Sequence, residues 1–195
     1  MKNYFKKIAF LMMSIIFTFS LTACAAKPDA TVKNFLEAIK AQDIKKASTL
    51  IKTDAKKEEF KYDSPEQEKL IKAVFSKIDY KLDKTVKSGN SATVKAKITS
   101  VDLSRVTAKM VSELLPTLMA QAFSGEAADE KKQNDMVTQY MLNSINDPNV
   151  SKTETDVEIK LSKVKNSWII EPSEDFTNAL TGNFSKIADA LDKAE

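Results

Sequence analysis

Apolar residues recur along this chain with two different periods, and the changes of period predict the order of helices and strands. From 28 to 76 the spacing is three and four residues, which is typical of amphipathic helices. The pattern predicts a first helix capped by Asp29, a short second helix capped by Asp43, and a third that begins at Ser64 and Pro65. We therefore expect three helices before the first strand.

The period falls to two in two later regions, and a turn sequence interrupts each of them. The alternation in 78–98 is broken by Ser88-Gly89-Asn90, and that in 157–170 by Lys165-Asn166-Ser167. Glycine, asparagine and serine between alternating segments are typical of reverse turns. The two regions are therefore predicted to be β-hairpins.

Helical spacing returns between the hairpins and after them. In 102–147 it predicts a long helix capped by Asp102, with a kink at Pro116, and another helix from about Ala128 to Asn146. A last helical stretch follows Ser173 and is bent at Gly182. Its apolar positions are Phe176, Ala179, Leu180, Phe184, Ile187 and Leu191. This order of elements predicts an α+β fold, with an antiparallel sheet of about four strands packed on helices in one domain, 29–195.

The first 23 residues have the pattern of a secretory signal peptide. A stretch with three lysines precedes Ile8–Ala23, which holds no charge. That stretch has 16 residues, and the alternative, an uncleaved membrane-spanning helix, needs about 20. Leu21-Thr22-Ala23-Cys24 ends it, and these four residues resemble the lipobox of bacterial lipoproteins.

The lipobox resemblance implies a specific processing and location. The chain would be cleaved between Ala23 and Cys24, and a diacylglyceryl group would be attached to the cysteine sulfur. Residues 24–28 would then be the lipid anchor and a short tether. The expected location is the extracytoplasmic face of the cell membrane, with the membrane itself as a partner and a membrane or envelope protein as a further one.

Composition argues against several classes of function. Removal of the leader leaves 27 basic and 27 acidic residues, a balance that argues against a nucleic-acid partner. The chain has no histidine, and its single cysteine would carry the lipid, so the common general base, thiol nucleophile and metal ligands are missing. Its three glycines argue against a glycine-rich phosphate loop. We therefore expect no enzymatic activity, no cofactor and no metal.

Four motifs of the mature chain together resemble a known group of proteins. They are P-x-x-x-V-x-x-F-L-x-A-I-K from Pro28 to Lys40, Gln42-Asp43-x-x-x-Ala47, Asn166-Ser167-Trp168-x-Ile170, and Phe176-x-x-Ala179-Leu180-x-Gly182. They resemble small Gram-positive lipoproteins of unknown function that are related to the nuclear-transport-factor-2-like (cystatin-like) fold. This resemblance implies a curved sheet wrapped on a helix around a cone-shaped pocket, with 102–147 as a two-helix insertion between the hairpins.

Two functions remain open at the level of sequence. The first is a lipid-anchored binding or accessory module, which should expose an apolar patch on the two inserted helices. The alternative is a protein that binds a small apolar ligand, for sensing or transport, in a closed cavity. Tyr62, Tyr80 and Trp168 are the candidate pocket residues, although core packing is the alternative and the favoured role for each of them.

Overall fold

Six helices and four strands make up the part of the chain that the computed structural model describes, which is residues 27–52, 64–123 and 130–183. In chain order they are α1 Pro28–Lys40, α2 Ile44–Ser48, α3 Pro65–Ser76, β1 Asp79–Ser88, β2 Ser91–Val101, α4 Leu103–Phe123, α5 Glu130–Asn146, β3 Lys152–Val164, β4 Ser167–Glu171 and α6 Glu174–Leu180. This order confirms the α+β class predicted from the sequence. Two helices, α4 and α5, connect the hairpins.

The four strands form an open antiparallel sheet in sequential order, β1-β2-β3-β4. The central pair, β2 and β3, is in unbroken register from Ser91 opposite Ser162 to Val101 opposite Lys152. At the β4 edge, Ile51 forms a parallel bridge with Ile170. Both hairpin predictions are confirmed, whereas the finer nuclear-transport-factor-2-like assignment stays a prediction.

One face of the sheet carries the main hydrophobic core. Val94, Ile98 and Ile159 point into it from the central strands and are fully buried. Helices α1 and α6 cover this face, and the rings of Phe35 and Phe176 meet there with their centroids 5.7 Å apart. Burying a large aliphatic or aromatic side chain contributes about 1.5–3 kcal/mol, so this layer dominates the stability of the fold.

The opposite face of the sheet carries charge pairs. Lys95 Nζ lies 2.8 Å from Glu158 Oε1, and Lys97 Nζ lies 3.1 Å from Asp156 Oδ1. Each pair faces across the β2–β3 register. Because these side chains are exposed, the pairs contribute little stability, but their charges keep this face in water.

The helix starts follow the predicted capping residues with one exception. A side-chain oxygen accepts a hydrogen bond from the backbone N–H three residues later at Asp43, Ser64, Asp102 and Ser173. The prediction of Asp29 as the cap of α1 is wrong. That helix begins at Pro28, and its N-cap residue, Lys27, makes no side-chain capping bond. Proline suits the first helical position because it has no N–H to satisfy, which places Asp29 inside the first turn.

A second hydrophobic cluster lies where β2 leads into α4. Its buried members from the helices are Val74 of α3, Leu103 and Val106 of α4 and Ile145 of α5, and Val101 joins them from the end of β2. Helix α4 continues through Pro116, and the kink predicted there stays a prediction. This cluster is separate from the core under α1 and α6, and it brings α3 and α5 together.

Gly182 allows the chain after α6 to lie directly against the β2–α4 junction. Helix α6 ends at Leu180, two residues before the glycine that was predicted to bend it. Gly182 has φ +60°, and a Cβ there would lie 1.8 Å from the carbonyl oxygen of Val101 and 3.2 Å from the backbone N of Leu103. Only glycine fits this contact. The remaining predicted part of this helix, 184–195, lies outside the described residues.

Replacing Gly182 by alanine should destabilise the protein far more than the same change at Gly89. Both glycines have positive φ, which costs an L-residue roughly 1–2 kcal/mol, but a Cβ at Gly89 has no neighbour within 4 Å. Gly182→Ala must also displace backbone, so we expect a loss of about 2–5 kcal/mol against about 1–2 kcal/mol for Gly89→Ala. Urea unfolding of both variants measures the difference, and equal losses would contradict the close contact.

Tyr80 joins the end of α1 to the first strand. Its hydroxyl donates a hydrogen bond to Glu37 Oε1, and Lys40 Nζ lies 5.9 Å from the centre of its ring. Burial, followed by this hydrogen bond and the nearby Glu37 charge, raises the pKa of Tyr80 from 10.0 to about 12. The neutral phenol is therefore the form that the folded protein favours.

The raised pKa of Tyr80 predicts a loss of stability at high pH. The neutral phenol of Tyr80 adds to the free energy of unfolding. This contribution is fully present below pH 10 and is lost as the pH rises from 10 towards 12. Phenol absorbance is titrated for the wild type and for Tyr80→Phe. The difference between the two curves reports the Tyr80 phenol, which should titrate near pH 12. A phenol that titrates near pH 10 would contradict the burial of this hydroxyl.

Candidate functional site

An apolar groove of about 400 Å³ lies between α3, the start of α4 and the end of α5. Its lining residues are Gln67, Leu70, Ile71, Val74, Phe75, Leu103, Met141, Ile145 and Thr181. Helix α3 supplies the first five, at the spacing that places residues on one face of a helix. The second hydrophobic cluster thus leaves a gap along α3.

The groove has a buried floor and open walls. Val74, Leu103 and Ile145 are buried, whereas Leu70 and Met141 are half-buried. Among the described residues that line the groove, none is charged, and only Gln67 and Thr181 are polar. A hydrocarbon group could enter without leaving a buried polar group unpaired, whereas a charged ligand would find no partner.

The predicted pocket residues do not line this groove. Trp168 is 7% exposed and packs in the main core on β4, which is the packing role weighed as the alternative. Tyr80 packs against the edge of the same core and bonds to Glu37. Both belong to the sheet face that α1 and α6 fill with side chains. Tyr62, and the processing residues Ala23 and Cys24, lie outside the described residues.

The sequence contained a signal for the groove that was not used to predict it. The apolar face of α3 and the inward positions of α5 are visible in the helical spacing, but each pattern is also satisfied by tight packing. The gap between the apolar faces of α3 and α5, beside Leu103, depends on the angle at which the two helices pack. A period count on one helix cannot show it.

Helix α4 exposes a second apolar surface, formed by Val111, Leu115, Met119 and Phe123, which we call the α4 face. Val111 and Leu115 are each 49% exposed, Met119 is 48% exposed, and Phe123 is 81% exposed. Their spacing of four residues keeps them in one slowly turning row. Isolated exposed apolar residues are ordinary, but a continuous row of four is typical of an interaction surface.

The charges of α4 lie on a different side of the helix from this row. At 100° per residue, Arg105, Lys109 and Glu113 form a neighbouring row, and Lys109 Nζ lies 3.8 Å from Glu113 Oε1. The hydroxyl of Tyr140 on α5 donates to Glu113 Oε2 at 2.8 Å, which joins the charged row to α5. The α4 face therefore carries no charged residue between its large apolar side chains.

A second, polar cleft of about 150 Å³ lies beside the start of α4. Both cations among its described lining residues lie near carboxylates. Arg105 Nε lies 3.9 Å from Asp102 Oδ2, and Lys109 pairs with Glu113. This mixed charge makes the cleft a weak candidate for an anion site.

Metal-binding clusters and membrane-spanning helices are both missing from the described residues. No group of three or more histidine, cysteine, aspartate or glutamate side chains in 27–52, 64–123 and 130–183 could hold a metal ion. In those same ranges, no helix has both the length and the apolar character needed to cross a bilayer.

Comparison with known proteins gives limited information. No family model and no curated protein matches the sequence. One crystal structure is similar, that of a protein named as a lipoprotein, YcdA of Bacillus subtilis subsp. subtilis str. 168, at 17% identity and a TM-score of 0.45. The match covers 80% of this chain and 46% of that protein, so this chain spans less than half of its length. At this level of similarity the match carries no argument about fold or function.

Proposed function

We propose that this protein is a lipid-anchored, extracytoplasmic binding or accessory module that holds a protein partner beside the outer face of the cell membrane. The observation that carries the proposal is the α4 face, an uncharged apolar row on a helix that connects the two hairpins. A partner-binding module should expose an apolar patch on the helices between the hairpins, α4 and α5, whereas a ligand carrier need not.

The sequence before the domain supports the membrane location. Leu21-Thr22-Ala23-Cys24 provides the lipobox, and α1 begins at Pro28, four residues after the cysteine. Four extended residues reach roughly 14 Å, so a lipid on Cys24 would hold the domain close to the bilayer. Two acyl chains on one diacylglyceryl group would supply the stable anchoring that a single chain does not.

The chemistry of the α4 face indicates the kind of partner. Leu115 and Met119 lie at its centre, and no charge lies between them with which a partner's buried charge could pair. Because an unpaired charge is costly to bury, the partner must present an apolar, uncharged patch there. The adaptable side chain of Met119 suits such a contact. The charged row with Lys109 and Glu113 would form the solvated rim.

The groove is the observation that favours the alternative function, binding of a small apolar ligand. Its volume falls in the range of about 300–1,000 Å³ that is usual for small-molecule sites. Its open walls, and the presence of only two polar side chains (Gln67 and Thr181) among its described lining residues, make it less specific than most such sites. We therefore keep the binding module as the main proposal.

Charges placed on the α4 face should abolish partner capture. Leu115→Lys and Met119→Lys each put a charge into the apolar row, so we expect in-cell crosslinking of the tagged full-length protein to capture its partner at least about tenfold less. Ala120→Lys is the matched control, because position 120 lies on the charged row of the same exposed helix. Equal capture by all three variants would contradict docking at this face.

Cys24→Ala should block both cleavage and lipid attachment. The precursor then keeps its leader, and no diacylglyceryl mass is found on the protein by intact-mass measurement of the membrane fraction. Ala26→Ser, two residues beyond the cleavage point, is the control and should be processed normally. If Cys24→Ala still gives a shortened, membrane-bound protein, the anchor is not at this cysteine.

A further inference from the structure

We propose that the groove between α3, α4 and α5 is the docking site of this chain's own residues 184–195. The inference goes beyond the proposed function, because it concerns the groove and not the α4 face. Its failure would leave partner binding by α4 untouched, and loss of capture by α4 variants would not affect it.

The described chain ends at the rim of the groove. Thr181 is a lining residue, and Gly182 is held against Val101 and Leu103, the latter also a lining residue. Phe184 is only three residues beyond Thr181, a reach of roughly 10 Å. The following segment therefore starts beside the groove and needs no long connection to enter it.

The sequence of 184–195 has a strong apolar face. Phe184, Ile187 and Leu191 recur at the spacing of one helix face, and Lys186 and Asp189 fall on the other side. Twelve residues are too few for a stable helix in water without packing. Such a segment has an apolar face that requires a surface to cover it.

The groove and the segment match in length and chemistry. Helix α3, which forms the longest wall, has 12 residues and therefore spans about 18 Å, the same as a 12-residue helical segment. The half-buried walls at Leu70 and Ile71 would be covered by apolar side chains that need no hydrogen-bond partner. Among the described lining residues only Gln67 and Thr181 offer polar groups to a ligand, whereas Phe184, Ile187 and Leu191 need only apolar contact.

Disulfide trapping tests this contact directly in the full mature chain. Cys24→Ser removes the single native cysteine, and Ile187→Cys is then combined in turn with Leu70→Cys, Ile71→Cys or Met141→Cys. We expect at least one pair to close under mild oxidation, seen as a mass loss of two hydrogens. The control pair, Ile187→Cys with Val164→Cys, uses an exposed position at the end of β3 and should stay reduced. No closure in any groove pair, or equal closure in the control, would overturn the proposal.

A stability measurement keeps the proposal testable if cysteine pairs fold poorly. Ile187→Asp puts a charge on the docking face and should lower Tm by about 4 °C or more, whereas Ser185→Asp, on the other side of the segment, should change it by less than about 1 °C. Equal shifts would contradict docking through the apolar face.

Dye binding distinguishes the remaining occupant, a small apolar ligand. The full mature chain and a chain that ends at Asn183 are titrated with N-phenyl-1-naphthylamine, an uncharged apolar dye, with circular dichroism to verify that both are folded. We expect the shortened chain to bind at least about fivefold more tightly, and Ile71→Lys in that chain to remove the gain. Equal binding by both folded chains would show that the groove is open and would overturn self-docking in favour of a ligand site.

Discussion

The unbroken register between β2 and β3 is the constraint on which the rest of the structure depends. It places Val94 opposite Ile159 on one face and Lys95 opposite Glu158 on the other. A slip of one residue would move the lysine and glutamate side chains to the buried face and the valine and isoleucine side chains to the solvent face. Helices α1 and α6 can pack only on the face that this register makes apolar. The junction with α4, and with it the contact at Gly182, follows from where β2 ends.

The chain carries more apolar surface than this core can bury. Helices α4 and α5 connect the end of β2 to the start of β3. With α3 they form the second hydrophobic cluster, away from the main core. The cluster leaves two surfaces, the groove along α3 and the α4 face. They differ in form. The groove is concave and lies close to the point where residues 184–195 begin, whereas the α4 face is convex and suits an external partner. This difference is why we assign them separate roles.

Most helix starts were predicted correctly from local signals in the sequence, because short-range chemistry decides them. Ser64, Asp102 and Ser173 cap helices as predicted because a cap needs only its own side chain and the next three residues. The prediction that Asp29 caps α1 was wrong for a local reason as well. Pro28 also favours a helix start and lies one residue earlier. Trp168 packs in the main core, and the sequence left a pocket role open because a half-buried strand pattern looks the same whether its face borders a cavity or a packed helix.

The sequence by itself determined the order of helices and strands, the two hairpins, the apolar face of each element and the lipobox pattern at Cys24, since each depends on residues close together in the chain. Only the tertiary structure decided which of those faces would meet. The burial of Trp168, the gap between α3 and α5, the exposure of Leu115 and the need for glycine at 182 all depend on the angles at which distant elements pack. Periodicity specifies that a face is apolar, but packing decides whether it is covered.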